Sequence, residues 1–289
     1  MSEQYKIASQ NISNVFVQDD CEVERAFVAR QLKKTQADAV FLAEAGHDQL
    51  SERLQVTLGS LGYTSLVVAR TIDREDDIHA MNAGADIVNL IGWRDSVDDD
   101  SISELQLGVR SGFKVDLDGL PVVFTHFDDW SSESRREMGI DLLEQLGVEH
   151  DSPLVLAADM NASDKRAKTV AQRIFSSGIY RRVSGVIANA ELPERLHRPV
   201  NIARRLGEIA GDDLIERLND YGLVSVLPPE PTFDGRHAHR FGRKLQLMVD
   251  NILARSVGPD YRLHGACTSL LAQQPGQLDH AMVSAIIEI

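Results

Sequence analysis

The sequence predicts an α/β protein made of alternating strands and helices. Short apolar runs bounded by turn residues alternate with longer amphipathic stretches, the pattern of a sheet whose faces are covered by helices. Several of the runs end directly in a carboxylate, amide or imidazole. No repeat of about 20–50 residues, the mark of a solenoid, is present.

Taken in order, Tyr5–Ile12 reads as a first strand and Glu22–Lys34 as a helix leading to a second strand, Ala39–Ala43. The spacing of Leu50, Leu54, Leu58 and Leu61 predicts a helix over Asp48–Leu61 that stops at Gly62. Ser65–Ala69 and Ile87–Ile91 have strand character. Leu105–Leu117 and Pro121–Thr125 flank Asp118-Gly119, a dipeptide suited to a tight hairpin turn. Ser134 and Glu137 match a capping box, opening a run through Ile140, Leu143 and Leu146 that ends at Gly147. Pro153–Ala158 reads as a compact buried strand. Lys165–Tyr221 reads as mostly helical and polar, with a break around Leu192–Pro199. Strands return at Leu223–Leu227, Leu247–Ala254 and Ala281–Ile289. The simplest organisation is one domain over residues 1–289 with a helical insertion over 165–222.

The 289 residues are 43% hydrophobic and 26% charged, ordinary for a globular protein with a sizeable core. No stretch approaches the roughly 18–20 apolar residues of a membrane helix, and the N-terminus lacks the basic-then-apolar pattern of a signal peptide. Two cysteines, Cys21 and Cys267, lack metal-like spacing. A bridge between them stays open, but so few cysteines favour a reducing cytoplasm. The net charge of −14 argues against a general polyanion binder. It is unevenly placed: Asp73–Glu104 carries −8, whereas Asp164–Asp220 carries +3.

Several chemistries leave no trace. There is no G-x-S-x-G elbow, phosphate-binding G-x-x-x-x-G-K-[ST] loop, G-x-G-x-x-G, H-E-x-x-H or C-x-x-C. Polar groups at strand ends remain. Asn11 lies near the end of the first strand, Glu44 follows AVFLA, His126 follows VVFT, and Asp159 and Asn161 follow LVLAA. Asp250 interrupts LMVDNIL, and Asp279-His280 precedes the last strand. Any one of them has a bland explanation, since strand ends meet solvent and Asp or Asn often starts a turn. Jointly, oxygen and amide groups suit a hard cation such as Mg²⁺.

In this set the sequence resembles the endonuclease/exonuclease/phosphatase superfamily of deoxyribonuclease I-like phosphoesterases. SQNIS resembles its early asparagine motif, VFLAEAG its "LQE", THFD its "THL", LVLAADMNA its "GDFN", VDNILAR its "DYIL" and Leu278-Asp279-His280 its terminal "SDH". The six occur in the family's order from residue 7 to the C-terminus, and the resemblance is weakest across 70–104 and 165–222. Gln10, Ala43, Ala158 and Leu278 depart from the family's neighbouring residues, which bears on substrate type more than on catalysis.

The resemblance implies a two-layer β-sandwich flanked by helices and a hydrolase of phosphate esters dependent on Mg²⁺, with Mn²⁺ as a substitute. It assigns Asn11, Glu44 and Asp279 to the metal. Asp159 would orient or deprotonate water, Asn161 would donate to phosphate, and Asp250 would orient His280 as phosphate ligand or base. His126 would stabilise charge or protonate the leaving group.

The loop Pro231–Lys244 adds Arg236, Arg240, Arg243 and Lys244, placed to meet a phosphate-rich substrate or simply solvated. Arg181-Arg182 and Arg204-Arg205 read more simply as solvated helix faces. Asp98–Asp100 reads as a surface loop, because consecutive carboxylates do not easily converge on one ion. The charge favours a small, short or lipid-derived phosphate ester over long nucleic acid. The alternatives are a DNA or RNA endonuclease or exonuclease, a non-catalytic binding protein retaining the fold, and another α/β hydrolase.

Overall fold

The computed structural model describes residues 3–47, 49–70, 87–108, 110–127, 131–147, 152–167, 209–234, 246–255, 261–269 and 278–289, with isolated positions between 169 and 207. In chain order the elements are β1 (Gln4–Asn11), α1 (Glu22–Thr35), β2 (Ala39–His47), β3 (Gln49–Leu50), α2 (Glu52–Ser60), β4 (Ser65–Arg70) and β5 (Ile87–Trp93). There follow β6 (Ile102–Leu107), β7 (Arg110–Leu117), β8 (Leu120–His126), α3 (Ser132–Leu146), β9 (Leu154–Asp159) and α4 (Leu214–Asp220). The last are β10 (Val224–Ser225), β11 (Phe233–Asp234), β12 (Gln246–Leu247), β13 (Asp250–Arg255), β14 (Arg262–Thr268) and β15 (Val283–Glu288).

Among the described residues, one sheet runs β14–β15–β1–β2–β5–β4, with β3 attached to β2. The second runs β10–β13–β9–β8–β7–β6, and β11 with β12 forms a separate ribbon. Period-two alternation explains the layering. Ile7, Phe41, Ile91, Phe113, Phe124, Ile252 and Val283 turn to the space between the sheets. Phe41 stacks on Phe124 with ring centroids 6.1 Å apart. The opposite face of the first sheet packs on Val28 and Leu32 of α1 and Leu54 and Leu58 of α2. The second sheet's outer face meets Met138 and Leu142 of α3 and Leu214 and Leu218 of α4. The α/β-sandwich is therefore as expected.

Each sheet has one parallel pair at its centre, β1 with β2 and β8 with β9. Their C-terminal ends lie at the same edge where the antiparallel neighbours β15 and β13 begin. Groups that end β1, β8 and β9, with Glu44 inside β2, therefore meet the start of β13 and the residues just before β15.

Several expected boundaries move. The helix over Asp48–Leu61 shortens to α2, because Leu50 pairs with Gly46 as β3 and Ser51 is extended with its Oγ donating to the Phe16 carbonyl (3.0 Å). Leu105–Leu117 is two strands, since Gly108 takes a left-handed φ of +61° and turns the chain. The α3 cap is Ser131, whose hydroxyl accepts from the Ser134 N–H (3.3 Å), so Ser134 lies inside the helix. Leu247–Ala254 breaks into β12 and β13 because the Met248 and Val249 carbonyls accept from Asp164 and Met160 N–H at 2.8 Å each. Leu223–Leu227 shortens to β10. The edge strand β14 went unexpected because RLHGACT lacks apolar alternation.

Other expectations agree. Asp118 and Gly119 both have positive φ (48° and 86°), as the tight hairpin requires. Asp98–Asp100 forms an exposed turn, with the Asp98 carboxylate accepting from the Asp100 N–H (3.1 Å). Cys21 and Cys267, the pair whose bridging the sequence leaves open, are separate thiols, one buried and one exposed. The expected insertion at 165–222 lies largely outside the described residues; within it Lys165–Ala167 forms a 3-10 turn and Leu214–Asp220 is α4.

Candidate active site

The face that fills the space between the sheets turns polar at one end. On β9, Val155 and Ala157 belong to that face and Asp159 is the next residue in phase. On β8, Val122 and Phe124 lead in the same way to His126; on β13, Ile252 and Ala254 lead back to Asp250. Register then aligns them, because Asp159 is opposite His126 on one side and Asp250 on the other. In the other sheet Ile7 leads by the same period to Asn11, which is opposite Ala43. All four polar side chains are no more than 2% exposed.

Asn11 ties the two sheets together. Its Nδ2 donates to Glu44 Oε1 (2.9 Å) and to Asp159 Oδ2 (3.1 Å). Its Oδ1 accepts from the Ser13 N–H (2.9 Å), and the Ser13 hydroxyl donates to Asp279 Oδ1 (3.0 Å). Glu44 and Asn161 both hold left-handed backbone, with φ of +52° and +45°. Such conformations cost a non-glycine residue about 1–3 kcal/mol and cluster at functional sites. Asn161 is fixed by its N–H to Asp159 Oδ1 (3.0 Å) and by its Nδ2 to the Phe127 carbonyl (2.9 Å).

His280 faces two carboxylates. Its Nδ1 lies 3.0 Å from Asp250 Oδ2 and 3.6 Å from Asp159 Oδ2. His126 Nε2 lies 3.6 Å from the same Asp159 oxygen, an ion-pair distance rather than a hydrogen bond. Burial pushes the Asp159 carboxyl pKa above the usual 3.8. His280, His126 and the Asn11 amide oppose that rise, while Asp250 adds to it. For His280, burial disfavours the charged ring, but Asp250 and Asp159 outweigh it and raise the pKa well above 6.5. One ligand atom from each of Asp159, Asp250 and His280 falls within a 4.8 Å span that could hold a metal ion, but the raised pKa of His280 favours the protonated ring, which offers an ion no lone pair.

The eight residues expected at the site thus gather in one network linking both sheets. Asn11, Glu44, Asp279, Asp159 and Asn161 connect through Asn11 and Ser13, while His126, Asp250 and His280 gather round Asp159. The expected substrate residues Arg236, Arg240 and Arg243 lie outside the described residues, as do Arg181, Arg182, Arg204 and Arg205.

Sequence reasoning passed over Ser13, Asn89 and Thr232. Asn89 Oδ1 accepts from the Glu44 N–H (3.3 Å). Thr232 Oγ1 accepts from Val249 and Asp250 N–H (3.0 and 2.8 Å), and its carbonyl accepts from Ala281 N–H (2.7 Å), which ties Asp250 to His280. Gln10, noted only as a departure, donates from Nε2 to the His280 carbonyl (3.2 Å). A signal existed only for Asn89, a lone amide inside the apolar run IVNLIGW.

The two-sheet sandwich is the fold of solved endonuclease/exonuclease/phosphatase proteins. An endonuclease/exonuclease/phosphatase from Beutenbergia cavernae DSM 12333 is 16% identical with a TM-score of 0.59, covering 99% of this chain and 72% of that one. An AP endonuclease from Archaeoglobus fulgidus is 18% identical with a TM-score of 0.55, covering 97% and 98% of the two chains. A 3′ phosphatase from Neisseria bound to a product DNA hairpin is 16% identical with a TM-score of 0.58, covering 97% and 98%. No protein-family model matches the chain, and no curated protein matches it by sequence.

Proposed function

We propose that this protein is a Mg²⁺-dependent hydrolase of phosphate esters, in which Mn²⁺ substitutes for Mg²⁺. The observation that carries the reading is Asp159, a buried carboxylate held by Asn11 and flanked at 3.6 Å by both His126 and His280. A packed core has no need to gather two imidazoles and two carboxylates, since each buried polar group must recover its lost hydration.

Asn11, Glu44 and Asp279 would hold the Mg²⁺ through oxygen ligands, and the Asn11 amide N–H also holds Glu44 in place. When bound, Mg²⁺ polarises the phosphoryl oxygen and steadies the leaving oxygen. Asp159 takes up or orients the proton of the attacking water, a role suited to a carboxyl whose pKa is raised by burial. Asn161 uses one Nδ2 hydrogen on the Phe127 carbonyl and has its second for a phosphate oxygen. His280, with Nδ1 held by Asp250, presents Nε2 to the phosphate as a cationic donor. His126 stabilises developing charge or protonates the leaving group.

The net charge of −14 supports a small, short or lipid-derived ester, with Arg236, Arg240 and Arg243 serving its phosphate. A nuclease is the second reading, supported by neighbours of the same fold that include an AP endonuclease and a phosphatase bound to DNA. We also propose one domain over 1–289 with a helical insertion over 165–222, and a cytoplasmic setting consistent with two unbridged thiols. No helix among the described residues is long and apolar enough to cross a membrane. The test is a screen with and without Mg²⁺ across plasmid DNA, RNA, lipid phosphodiesters and sugar phosphates. Lack of metal-dependent turnover on every class would refute the hydrolase reading.

A further inference from the structure

Glu44 presents a problem that its own residue type does not solve. Strand β2 loses register with β5 between Leu42 and Gly46, and Glu44 sits inside that irregularity with φ at +52°. A left-handed glutamate persists only where its surroundings over-determine it. Its peptide is gripped from both sides. The Glu44 carbonyl accepts from the Asn14 N–H (2.8 Å), and the Glu44 N–H donates to Asn89 Oδ1 (3.3 Å). Asn14 acts through its backbone, so Asn89 is the side chain of the pair on which the grip depends.

Asn89 is costly where it stands. It is fully buried on β5, in phase with Ile91 and Trp93 of the inter-sheet core, where an aliphatic side chain would be expected. Only an acceptor can receive the Glu44 N–H, so the amide's orientation is set, and its buried Nδ2 has no partner among the described residues. An unmatched buried donor of this kind costs about 1–3 kcal/mol. A core position that carries such a cost without a packing gain points to a duty elsewhere, and the one side-chain hydrogen bond it makes among the described residues ends on Glu44, the proposed metal carboxylate.

We infer that Asn89 is a positioning residue for the metal site: by holding the Glu44 N–H it maintains the left-handed turn that sets the Glu44 carboxylate beside Asn11 and Asp159. The inference rests on Glu44 being a metal ligand, as proposed above. It does not require Asn89 to touch metal or substrate.

The test reads metal binding directly, by electron paramagnetic resonance of free Mn²⁺ titrated with the full-length protein, without substrate. Asn89→Leu fills the space but offers no acceptor, and Asn89→Asp keeps the acceptor. Loss of a residue that orients a ligand costs about 10–100-fold in metal affinity. The leucine variant should show a loss in that range, with thermal stability in chelator close to wild type, while the aspartate variant binds at least as tightly as wild type. Asn89→Ala withdraws the acceptor without overfilling the site and is read the same way should the leucine variant not fold. Unchanged Mn²⁺ affinity in Asn89→Leu or Asn89→Ala would overturn the inference, as would equal weakening in Asn89→Asp. Glu44→Gln separates the two levels. If it too leaves Mn²⁺ affinity unchanged, the ligand role of Glu44 fails; if it alone weakens binding, the positioning role of Asn89 fails by itself.

Discussion

Replacing Asp159 by asparagine tests the proposed chemistry most directly, and the contacts predict how the protein should respond. The carboxylate uses both oxygens: Oδ1 accepts from the Asn161 N–H at 3.0 Å, and Oδ2 accepts from Asn11 Nδ2 at 3.1 Å. In Asp159→Asn one oxygen becomes an NH₂, so either orientation sets a donor against a donor. One buried hydrogen bond is lost and one donor stranded, a cost of about 1–3 kcal/mol. For a chain of this size each kcal/mol lowers Tm by about 2 °C, so the direct effect is about 2–6 °C. Part of it is offset, because burial already disfavours the Asp159 charge and the amide removes that charge. Stability therefore falls slightly and the fold survives. Catalysis should fall far more, by about 10²-fold or more, for loss of a general base. A 10²-fold loss corresponds to about 2.7 kcal/mol in the barrier. The assay is hydrolysis of bis(p-nitrophenyl) phosphate at saturating Mg²⁺, paired with circular dichroism and Tm. A well-folded variant with near-normal kcat would remove Asp159 from the mechanism.

Three further outcomes follow. If Asp250 acts through His280, to which it lies at 3.0 Å, then His280→Ala, Asp250→Asn and the double variant should lose similar amounts of kcat/KM, because groups acting as one unit are non-additive; losses that multiply would break the pairing. In chelator, the raised His280 pKa stabilises the fold fully below about pH 6.5, its unfolded value, and that contribution fades as pH rises through the folded value. Tm measured against pH should therefore decline on the alkaline side, and Asp250→Asn, which removes the largest favourable partner, should move the decline to lower pH; an unmoved profile would count against the assignment. Finally, kcat/KM measured across a salt series should fall shallowly, reflecting about one to three phosphate contacts at a slope near −0.9 per contact on duplex DNA, and small phosphodiesters should be preferred; efficient plasmid cleavage with a steep salt slope would restore the nuclease reading.

Much of the molecule was legible before its structure, where local chemistry decides. The Asp118-Gly119 turn was readable because its left-handed backbone has few residue types to choose from. Asp159 was readable because a buried strand, LVLAA, ends in a carboxylate with no solvent-facing position in phase. Reading failed where a distant partner overrode local pattern. Leu50 fits the helical leucine spacing yet pairs as strand with Gly46, and the Met248–Val249 carbonyls break an apolar run to serve the loop after β9. Thr232 carries no local mark, although it hydrogen-bonds to the start of β13 and to Ala281.

By itself the sequence determined the layered α/β character and the set of acids, amides and imidazoles at strand ends, because alternation and turn chemistry act over a few residues. Only the tertiary structure decided how those groups combine. Register places His126, Asp159 and Asp250 on three adjacent strands, and the packing of one sheet on the other brings Asn11 within 3.1 Å of Asp159. It also decided the carboxylate neighbour of His126, which proves to be Asp159 at 3.6 Å, and the amide behind Glu44. The physical reason is separation along the chain. Asn11 and Asp159 lie 148 residues apart on different sheets, so their pairing waits for both sheets to pack, while Asn89, 45 residues from Glu44, reaches it only once β5 has paired with β2.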